Sequence, residues 1–497
     1  MEVITVAGGQ QMEVDRVSNA SQIGRPRLLS EVDLGKIHHA ALEIVASVGM
    51  RIQHPRALEL LREAGCTETA GLVQIPPHLV EEARETVPSR IRVFDRQGQP
   101  AMELGGYNAY FGSGSDLMST WDLESGALRD SCLADTRQAA RLCDALPNID
   151  FVMSGAWPNE LDARIAFLHN FRAMVSNTSK PIVVTAEDRN DLYVMWQIGC
   201  ALRGGAEELA AKPYLIAYGE PVSPLRHMDE AINKLLFCAD VGIPCLYTPA
   251  PLAGGTSPIT IAGQLAQGLA EYYQGMVVHQ LAKLGAPLIF GIGPLVLDLT
   301  SMQSSYSAVE FFMAHTAMIE LARWLDVPNW AYGGMTDSHS LDCQAGLEIA
   351  EITLLDMLSG SNLTHDVGYQ GFGLAASLEQ IVVVDEFVGM NRRLLAGIVV
   401  NDETLALDAI ADVGPGGEFI SHRHTKDYCR RAQWRPTVLS RASQANWEKD
   451  GRADLYERAR RKALALLASH EAAELPPSVT EAMDALILEF EQKLPVW

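Results

Sequence analysis

The chain has 497 residues, of which 48% are hydrophobic and 20% are charged. This is enough apolar material for one large domain or for two to three ordinary ones. Lysine and arginine number 39 against 62 aspartates and glutamates, which gives a formal net charge of −23. Such a surface argues against nucleic acid as the main partner and against an anionic membrane surface, because phosphates require a basic face.

The N-terminus and the cysteines indicate the cellular compartment in which the protein is found. The first residues carry Glu2, Glu13 and Asp15 and lack the basic and apolar regions of a secretory signal. No apolar run reaches the roughly 18 residues that a membrane span needs. The eight cysteines are scattered and form no CxxC pair, which favours buried, reduced thiols. We therefore expect a cytoplasmic protein that does not enter a membrane.

The first hundred residues are typical of an arm followed by a helical layer. The stretch up to about residue 25 is polar and contains glycine, as expected of a loose arm or a partner-binding extension. Ser30, followed by acidic residues, predicts the start of a helix. Two more helices are predicted over 55–64 and 76–87, the second with proline in its first turn. We assign residues 1–100 to this arm and layer.

Residues 101–400 alternate between short β-type runs and long helical runs. The predicted strands cover 108–114, 149–156, 180–186, 212–221, 243–250, 286–293, 328–335 and 362–369. The predicted helices cover 134–146, 160–177, 188–203, 227–241, 258–284, 303–325, 342–360 and 377–397. Consecutive β-α units with short connections predict a (β/α)8 TIM barrel. A doubly wound sheet is the alternative, but GSGSD at 112–116 lacks the GxGxxG spacing of a phosphate turn.

After residue 400 the chain becomes helical and charged. Residues 447–474 have the pattern of one long amphipathic helix. Its apolar face is expected to pack on the barrel or on a neighbouring subunit. We assign residues 401–497 to a C-terminal helical cap packed on the barrel and expect a homo-oligomer.

TIM-barrel active sites lie at the carboxyl ends of the strands. The predicted strand ends carry the carboxylates Asp116 and Glu220 and several aromatic residues, namely Phe111, Trp157, Tyr218, Tyr247, Tyr332 and Phe372. Any one of these aromatics is also compatible with core packing. Aromatic faces interleaved with carboxylates suit a quaternary or tertiary ammonium ligand, because the ring quadrupole attracts a diffuse cation. The cluster therefore indicates an ammonium-binding pocket.

Two further features concern the ends of predicted elements. Gly255 and Thr256 precede a helix predicted from Pro258, and backbone N–H groups there are a natural carboxylate site. His365 and Asp366 end the eighth predicted strand. Because strand residues alternate between faces, only one of this pair is expected to point inward. A catalytic pair, an ordinary turn and a binding pocket are all compatible with the residues alone.

Metal binding and two common reaction types have little support. His422, His424 and Cys429, and also His339 with Cys343, have spacings that permit ligation but do not identify it. The sequence has no HExxH or CxxC motif, no GxSxG motif and no P-loop. We therefore predict no metal site, and neither acyl hydrolysis nor phosphoryl transfer is favoured.

Several long segments resemble the trimethylamine methyltransferase family. They are DLESGALRDSCLADTRQAARLCDALPNIDFV (122–152), GGTSPITIAGQLAQGLAE (254–271), GGMTDSHSLDCQAGLE (333–348), SLEQIVVVDEFVGMNRRLLAGI (377–398) and GPGGEFISHRHTKDYCRRAQWRPTVLSR (414–441). Together they span most of the chain from about residue 30 to about residue 470. The resemblance implies a (β/α)8 barrel. It also implies methyl transfer from a methylated amine to the Co(I) centre of cobalamin, a corrinoid carried by a separate protein.

The sequence differs from the founding members of that family in one residue type. Those members carry pyrrolysine, which is thought to bind the amine, whereas every residue here is of a standard type. The chain is more similar to non-pyrrolysine members, which demethylate quaternary amines such as glycine betaine. The resemblance then implies that His365 points inward as a donor to a substrate carboxylate, with Gly255 and Thr256 as a second donor site. Asp116 would balance the ammonium group, and Asp366 would be structural.

The resulting hypothesis is a corrinoid-dependent methyltransferase that acts on a small quaternary amine. Glycine betaine is the first candidate substrate, and a corrinoid protein docking over the barrel mouth is the expected partner. One alternative keeps the barrel but makes it a zinc-dependent methyltransferase acting on a thiol or alcohol. The other is a betaine-binding module without catalytic activity.

Overall fold

A parallel sheet forms the centre of the molecule in the computed structural model, which describes residues 3–6, 10–13 and 24–494. We number its strands β1 to β7 in chain order: Tyr110–Ser113, Ile182–Val184, Leu215–Gly219, Cys245–Tyr247, Leu288–Gly291, Asn329–Tyr332 and Leu363–Val367. They lie in the order β2-β3-β4-β5-β6-β7-β1. Almost every residue in them is buried, as expected when helices cover a parallel sheet.

Single-residue bridges link the two edges of this sheet. Gly112 of β1 pairs with Phe151, and Val152 pairs with Ile182 of β2, both in parallel. The predicted strand 149–156 is therefore reduced to two bridges. One reason is that the Ser113 hydroxyl replaces ladder bonds, accepting from the Met153 N–H at 2.9 Å and donating to its carbonyl at 3.0 Å. The α/β class is confirmed, and the curled sheet is consistent with a TIM-like barrel.

All eight predicted barrel helices are present, and we number them α1 to α8. They are Leu133–Ala145, Ala163–Asn177, Arg189–Arg203, Asp229–Val241, Ile261–Ala282, Val309–Trp324, Cys343–Ser359 and Leu378–Leu395. Side-chain caps fix several starts: Asp188, Asp342 and Ser377 accept backbone N–H groups of α3, α7 and α8. α6 begins later than predicted, because Ser304–Ser305 instead pairs with Val296–Leu297.

The N-terminal region contains β structure as well as the predicted helices. The helices are Glu31–Glu43, Pro55–Glu63 and Pro77–Thr86, with a π-helical turn at Ile44–Val48. The additional strands are Val3–Val6, Gln10–Glu13, Met50–Ile52, Thr67–Thr69, Leu72–Gln74, Ile91–Phe94 and Pro100–Leu104. The three helices predicted for this layer are therefore present, and the layer also contains β-strands. The arm predicted before residue 25 falls mostly on residues 1–2, 7–9 and 14–23, which lie outside the described residues.

The hairpin Ile91–Phe94/Pro100–Leu104 covers the amino end of the sheet. Its residues Ile91, Val93, Met102 and Leu104 are buried in one cluster with the residues inside the curled sheet. Phe94 donates its N–H to the carbonyl of Pro213, just before β3. The hairpin therefore fills the interior of the curled sheet at its amino end. A ligand can enter from the opposite, carboxyl end.

The C-terminal region contains six helices, of which the last two contact the helices around the sheet. The six are Asp402–Leu405, Leu407–Val413, Arg423–Tyr428, Gln444–Lys449, Leu455–Ser469 and Pro477–Lys493. The single helix predicted over 447–474 is wrong, because Gly451 and Arg452 have positive φ and break it. Lys462 lies 3.4 Å from Asp385 of α8, and Arg172 of α2 lies 2.6 Å from Asp484.

The remaining short elements are Ala206–Ala211, a helix between α3 and β3, and the strands Ser119–Trp121, Leu128–Asp130, Arg226–His227, Tyr369–Gln370 and Ala375–Ala376. Four of these strands form a small sheet that includes the exit of β7. Among the described helices, none combines the length and apolar character required to traverse a bilayer.

Candidate functional site

The strands of the curled sheet separate two layers of side chains, because neighbouring residues of a strand face opposite sides. Val183, Ile216, Leu246, Ile289 and Trp330 belong to the cluster inside the curled sheet. Their strand neighbours belong to a second cluster, between the sheet and the surrounding helices. A ligand entering from the carboxyl end therefore meets only the first set.

Two predicted site residues lie in the outer layer. The hydroxyl of Tyr247 is 2.7 Å from Nδ1 of His227, and its ring packs directly on Gly275 of α5. Phe111 is fully buried in the same outer cluster. Each is one residue out of phase with the interior set. We therefore correct the expected pocket by removing Phe111 and Tyr247 from it.

A β-bulge at the end of β7 brings two consecutive polar residues into the interior. Thr364 pairs with Phe111 and Val367 with Ser113, so one extra residue is accommodated in β7. Asp366 has φ of 72°, a left-handed conformation that aspartate tolerates better than most residues. Bulges of this kind redirect side chains and occur often beside active sites. The expectation that only one of His365 and Asp366 points inward fails because the alternation is broken here.

His365 lies between two interior aromatic rings. Its ring centroid is 4.0 Å from that of Trp330 and 4.5 Å from that of Tyr332. Nδ1 lies 2.8 Å from the carbonyl oxygen of Ala331, and Nε2 lies 3.1 Å from Oδ1 of Asp366. Burial lowers the pKa of His365 to about 3, so the ring is neutral at physiological pH. Because a carbonyl only accepts, the proton sits on Nδ1 and Nε2 has none to donate.

This tautomer changes the roles expected for the pair. A neutral His365 with a bare Nε2 is a poor donor to a substrate carboxylate. Burial raises the pKa of Asp366 well above its usual range. In residues 24–494, Asp366 accepts no hydrogen bond, and His365 is its single ion-pair partner. A buried carboxylate without a cation is costly to ionise, and a positively charged ligand would remove that cost.

The other two carboxylates border a cleft of about 330 Å³. The Tyr218 hydroxyl donates to Glu220 at 2.6 Å. The Ser154 hydroxyl donates to Asp116 at 2.7 Å and also accepts the Asp116 N–H at 2.9 Å. The cleft is lined by Asp116, Phe167, Thr185, Ala186, Glu187, Tyr218, Glu220, Val222, Met228, Glu230, Ala231 and Lys234. Four of these side chains are acidic and one is basic, which favours a ligand with positive charge.

Tyrosine rings surround the carboxylates. Tyr332 is buried, and its hydroxyl lies 3.2 Å from that of Thr248. Tyr218 lies edge-to-face with Trp330, with ring centroids 6.1 Å apart. Tyr306 contributes from the segment before α6, where its N–H donates to Asp337. Such faces complement a diffuse cation.

The remaining predicted residues lie at the rim or farther away. Trp157 packs edge-to-face on Phe167, a residue of the cleft, with centroids 5.1 Å apart. Phe372 packs on His339, with centroids 5.7 Å apart. Gly255 and Thr256 are exposed in a turn in which both N–H groups donate to the Leu252 carbonyl. They are therefore not free for a carboxylate, and α5 begins at Ile261, not at residue 258.

Three residues of the candidate site are missing from the predicted set: Asp366 as an inward-facing carboxyl group, Trp330 and Lys234. Lys234 of α4 donates to the Ala186 carbonyl at 2.8 Å and is the basic side chain of the cleft. Trp330 is fully buried, and its Nε1 has no hydrogen-bond partner. Trp330 could have been predicted from the sequence, because it lies two residues before Tyr332 on one strand and therefore faces the same side.

The histidines whose spacing permits metal ligation have other partners. Within residues 24–494 no three His, Cys, Asp or Glu side chains are grouped as metal ligands. His422 instead lies 3.2 Å from Asp412, and His424 stacks on Tyr428. The His339–Cys343 pair has Phe372 as the ring partner of the histidine.

Comparison with known proteins places this geometry in a family. The chain is 29% identical over 469 residues to the trimethylamine methyltransferase MttB of Desulfitobacterium hafniense, covering 94% of each chain. It is 27% identical over 466 residues to a glycine betaine methyltransferase of the same species, covering 93% of this chain and 96% of that one. The crystal structure of the Methanosarcina barkeri monomethylamine methyltransferase (MtmB) aligns with a TM-score of 0.47 at 13% identity, over 96% of this chain and 97% of that one.

A family model provides the broadest match. The model described as trimethylamine methyltransferase (MTTB) covers residues 7–495. This range includes every barrel strand, the bulge at His365 and Asp366, and the cleft. The chain therefore belongs to the trimethylamine methyltransferase family.

Proposed function

We propose that this protein transfers a methyl group from a small quaternary amine, of which glycine betaine is the first candidate, to the Co(I) corrinoid of a partner protein. The observation that carries the proposal is the position of Asp366. It is a buried carboxylate without a cationic partner among residues 24–494, set beside the aromatic side chains Trp330, Tyr332 and Tyr218. A ligand with one positive charge would therefore complement this site.

The substrate class follows from what the site offers. A quaternary ammonium group has no N–H to donate, so it is recognised by ring faces and by unpaired negative charge. Tyr218 and Tyr332 supply ring faces, and Asp366 supplies the charge. Asp116 and Glu220 add negative potential along the adjoining cleft. Substrates that carry only hydrogen-bonding groups would leave the Asp366 carboxylate uncompensated.

The reaction requires the substrate to be positioned, and it does not require proton transfer to the leaving group. A quaternary amine that loses a methyl group leaves as a neutral tertiary amine, so no general acid is needed. The corrinoid, carried by the partner, supplies the nucleophile. The residues of this chain hold the cation, direct one methyl group toward the open carboxyl end and exclude water. Burial of the ammonium also disfavours its full charge relative to a charge-dispersed transition state.

Substrate carboxylate recognition needs a different residue from those expected. His365 has no proton on Nε2, and the N–H groups of Gly255 and Thr256 are already bonded. Lys234 lines the same cleft as Glu220, and its amino group has donor capacity beyond the single bond to the Ala186 carbonyl. We therefore assign Lys234 to the carboxylate of a betaine, with Trp157 and Phe372 at the rim.

The organisation proposed for the whole chain agrees with this site. The bridges at Phe151 and Val152 support closure of the sheet into an eight-stranded (β/α)8 TIM barrel. We propose three regions: an N-terminal region over 1–100, the barrel over 101–400 and a C-terminal cap over 401–497. We further propose a cytoplasmic homo-oligomer whose open barrel end faces the corrinoid protein.

The direct test is methyl transfer to free cobalamin. Purified protein incubated with Co(I) cobalamin and glycine betaine, carnitine or tetramethylammonium should yield methylcobalamin, measured by its absorption spectrum. Reactions without amine serve as controls. Turnover with trimethylamine and with none of the quaternary amines would overturn the substrate class. Tight binding without any transfer, also with a corrinoid protein added, would favour a binding module, and stoichiometric zinc would favour the zinc-dependent alternative.

A further inference from the structure

The carboxyl group of Asp366 lies against an unprotonated nitrogen of His365. His365 uses Nδ1–H for the Ala331 carbonyl, so Nε2, which lies 3.1 Å from Oδ1 of Asp366, carries no proton. This contact is not a hydrogen bond, and the two acceptors repel each other when Asp366 is ionised. A proton on Asp366 removes this repulsion. The contact and the burial of Asp366 therefore both favour the protonated carboxyl group beside the aromatic rings.

The groups facing this pair do not provide a compensating positive charge. Tyrosines approach from β3, from the segment before α6, from β6 and from the exit of β7; they are Tyr218, Tyr306, Tyr332 and Tyr369. Burial raises the pKa of each tyrosine, so all four remain neutral. The other ionisable neighbours of these tyrosines are acidic, namely Glu220, Asp116 and Asp337. His315 of α6 faces His365, and its Nε2 is paired with Asp356 at 2.7 Å. An ionised Asp366 therefore depends on the ligand for its counter-charge.

We propose that a quaternary ammonium group and a proton compete for Asp366, so that substrate binding expels the proton of the Asp366 carboxyl group. The inference rests on the proposed function, from which it takes the substrate class. Protonated Asp366 and the free cation become an ion pair, and the proton passes to the buffer. The carboxylate and the bare Nε2 of His365 then both present negative potential to the cation.

The same exchange resets the site after the reaction. Once a methyl group has left, the product is a neutral tertiary amine and no longer balances Asp366. The neutral amine no longer pairs with the carboxylate and leaves. The carboxylate then takes a proton back from solvent, because an unpaired buried charge is unfavourable. Substrate entry and product release are thus coupled to opposite proton movements.

Isothermal titration calorimetry without any corrinoid tests this exchange. Tetramethylammonium chloride is the first probe, because it has no titratable group and any proton released must come from the protein. Titrations at about pH 6, in buffers that differ in ionisation enthalpy, should show release of about one proton per site. Since the proton competes with the cation, Kd should fall about tenfold for each pH unit gained and level off above the pKa of Asp366.

Two variants identify the source of the proton. Asp366→Asn should release no proton and bind more weakly, with no pH dependence of Kd over this range. Asparagine is tolerated at positive φ, so the bulge should be retained. Glu220→Gln should still release a proton on binding. Binding of tetramethylammonium or glycine betaine without proton release, or a release lost in Glu220→Gln but kept in Asp366→Asn, would overturn the inference while leaving the proposed function intact. If no quaternary amine binds, the proposed function fails as well.

Discussion

Replacing Asp366 with asparagine should lower kcat/KM for methyl transfer from a quaternary amine about 150- to 5,000-fold. The substitution keeps the size of the side chain and a residue type that accepts φ of 72°. It removes the negative charge that faces the aromatic rings. Loss of one member of a buried charge pair costs about 3–5 kcal/mol. The measurement is the initial rate of transfer to a corrinoid at subsaturating amine.

A matched control separates charge from backbone. Asp326 also has positive φ, 55°, but it is exposed in the turn after α6. Asp326→Asn should leave kcat/KM within about twofold, because exposed substitutions have small effects. An Asp366→Asn protein with the activity of the control would show that this carboxylate does not recognise the substrate.

The second large effect concerns stability and the attachment of the C-terminal region. Replacing Glu386 with alanine should lower the free energy of unfolding by about 3–5 kcal/mol. Glu386 of α8 is buried and accepts the N–H groups of Thr437, Val438 and Leu439 at 2.8–3.0 Å. It also accepts the Thr437 hydroxyl at 2.6 Å. Alanine would remove the acceptor of all these bonds and leave the buried Val438 N–H without a partner, and urea unfolding would measure the loss.

The control for this prediction is a glutamate of the last helix. Glu481 is exposed in Pro477–Lys493, so Glu481→Ala should change the free energy of unfolding by no more than about 0.5 kcal/mol. Equal urea midpoints for the two variants would contradict the role given to Glu386. A selective exposure of the C-terminal region to protease in Glu386→Ala would support it.

The architecture was largely accessible from sequence because its signals are local. Caps such as Asp188 and Ser377 and prolines at strand starts mark element ends without reference to the rest of the fold. The hairpin at 91–104 was missed because its two strands are short and their sequences resemble those of loops. The strand at 149–156 was overestimated because a side chain, Ser113, replaces part of its ladder.

The site was less accessible because it depends on which face each residue occupies. Parallel barrel strands are apolar on both faces, so period-two alternation does not reveal the inside. Tyr247 and Leu246 are equally buried, yet only Leu246 belongs to the interior. The bulge that turns Asp366 inward depends on the register between β7 and β1, which no local pattern encodes.

The most direct test of the account is a crystal structure with a bound quaternary amine. We predict that the nitrogen of tetramethylammonium or glycine betaine lies within about 6 Å of the ring centroids of at least two of Tyr218, Trp330 and Tyr332. The Asp366 carboxylate should be the nearest charged group of the protein. A cation held elsewhere, with Asp366 still facing only His365, would contradict the central claim.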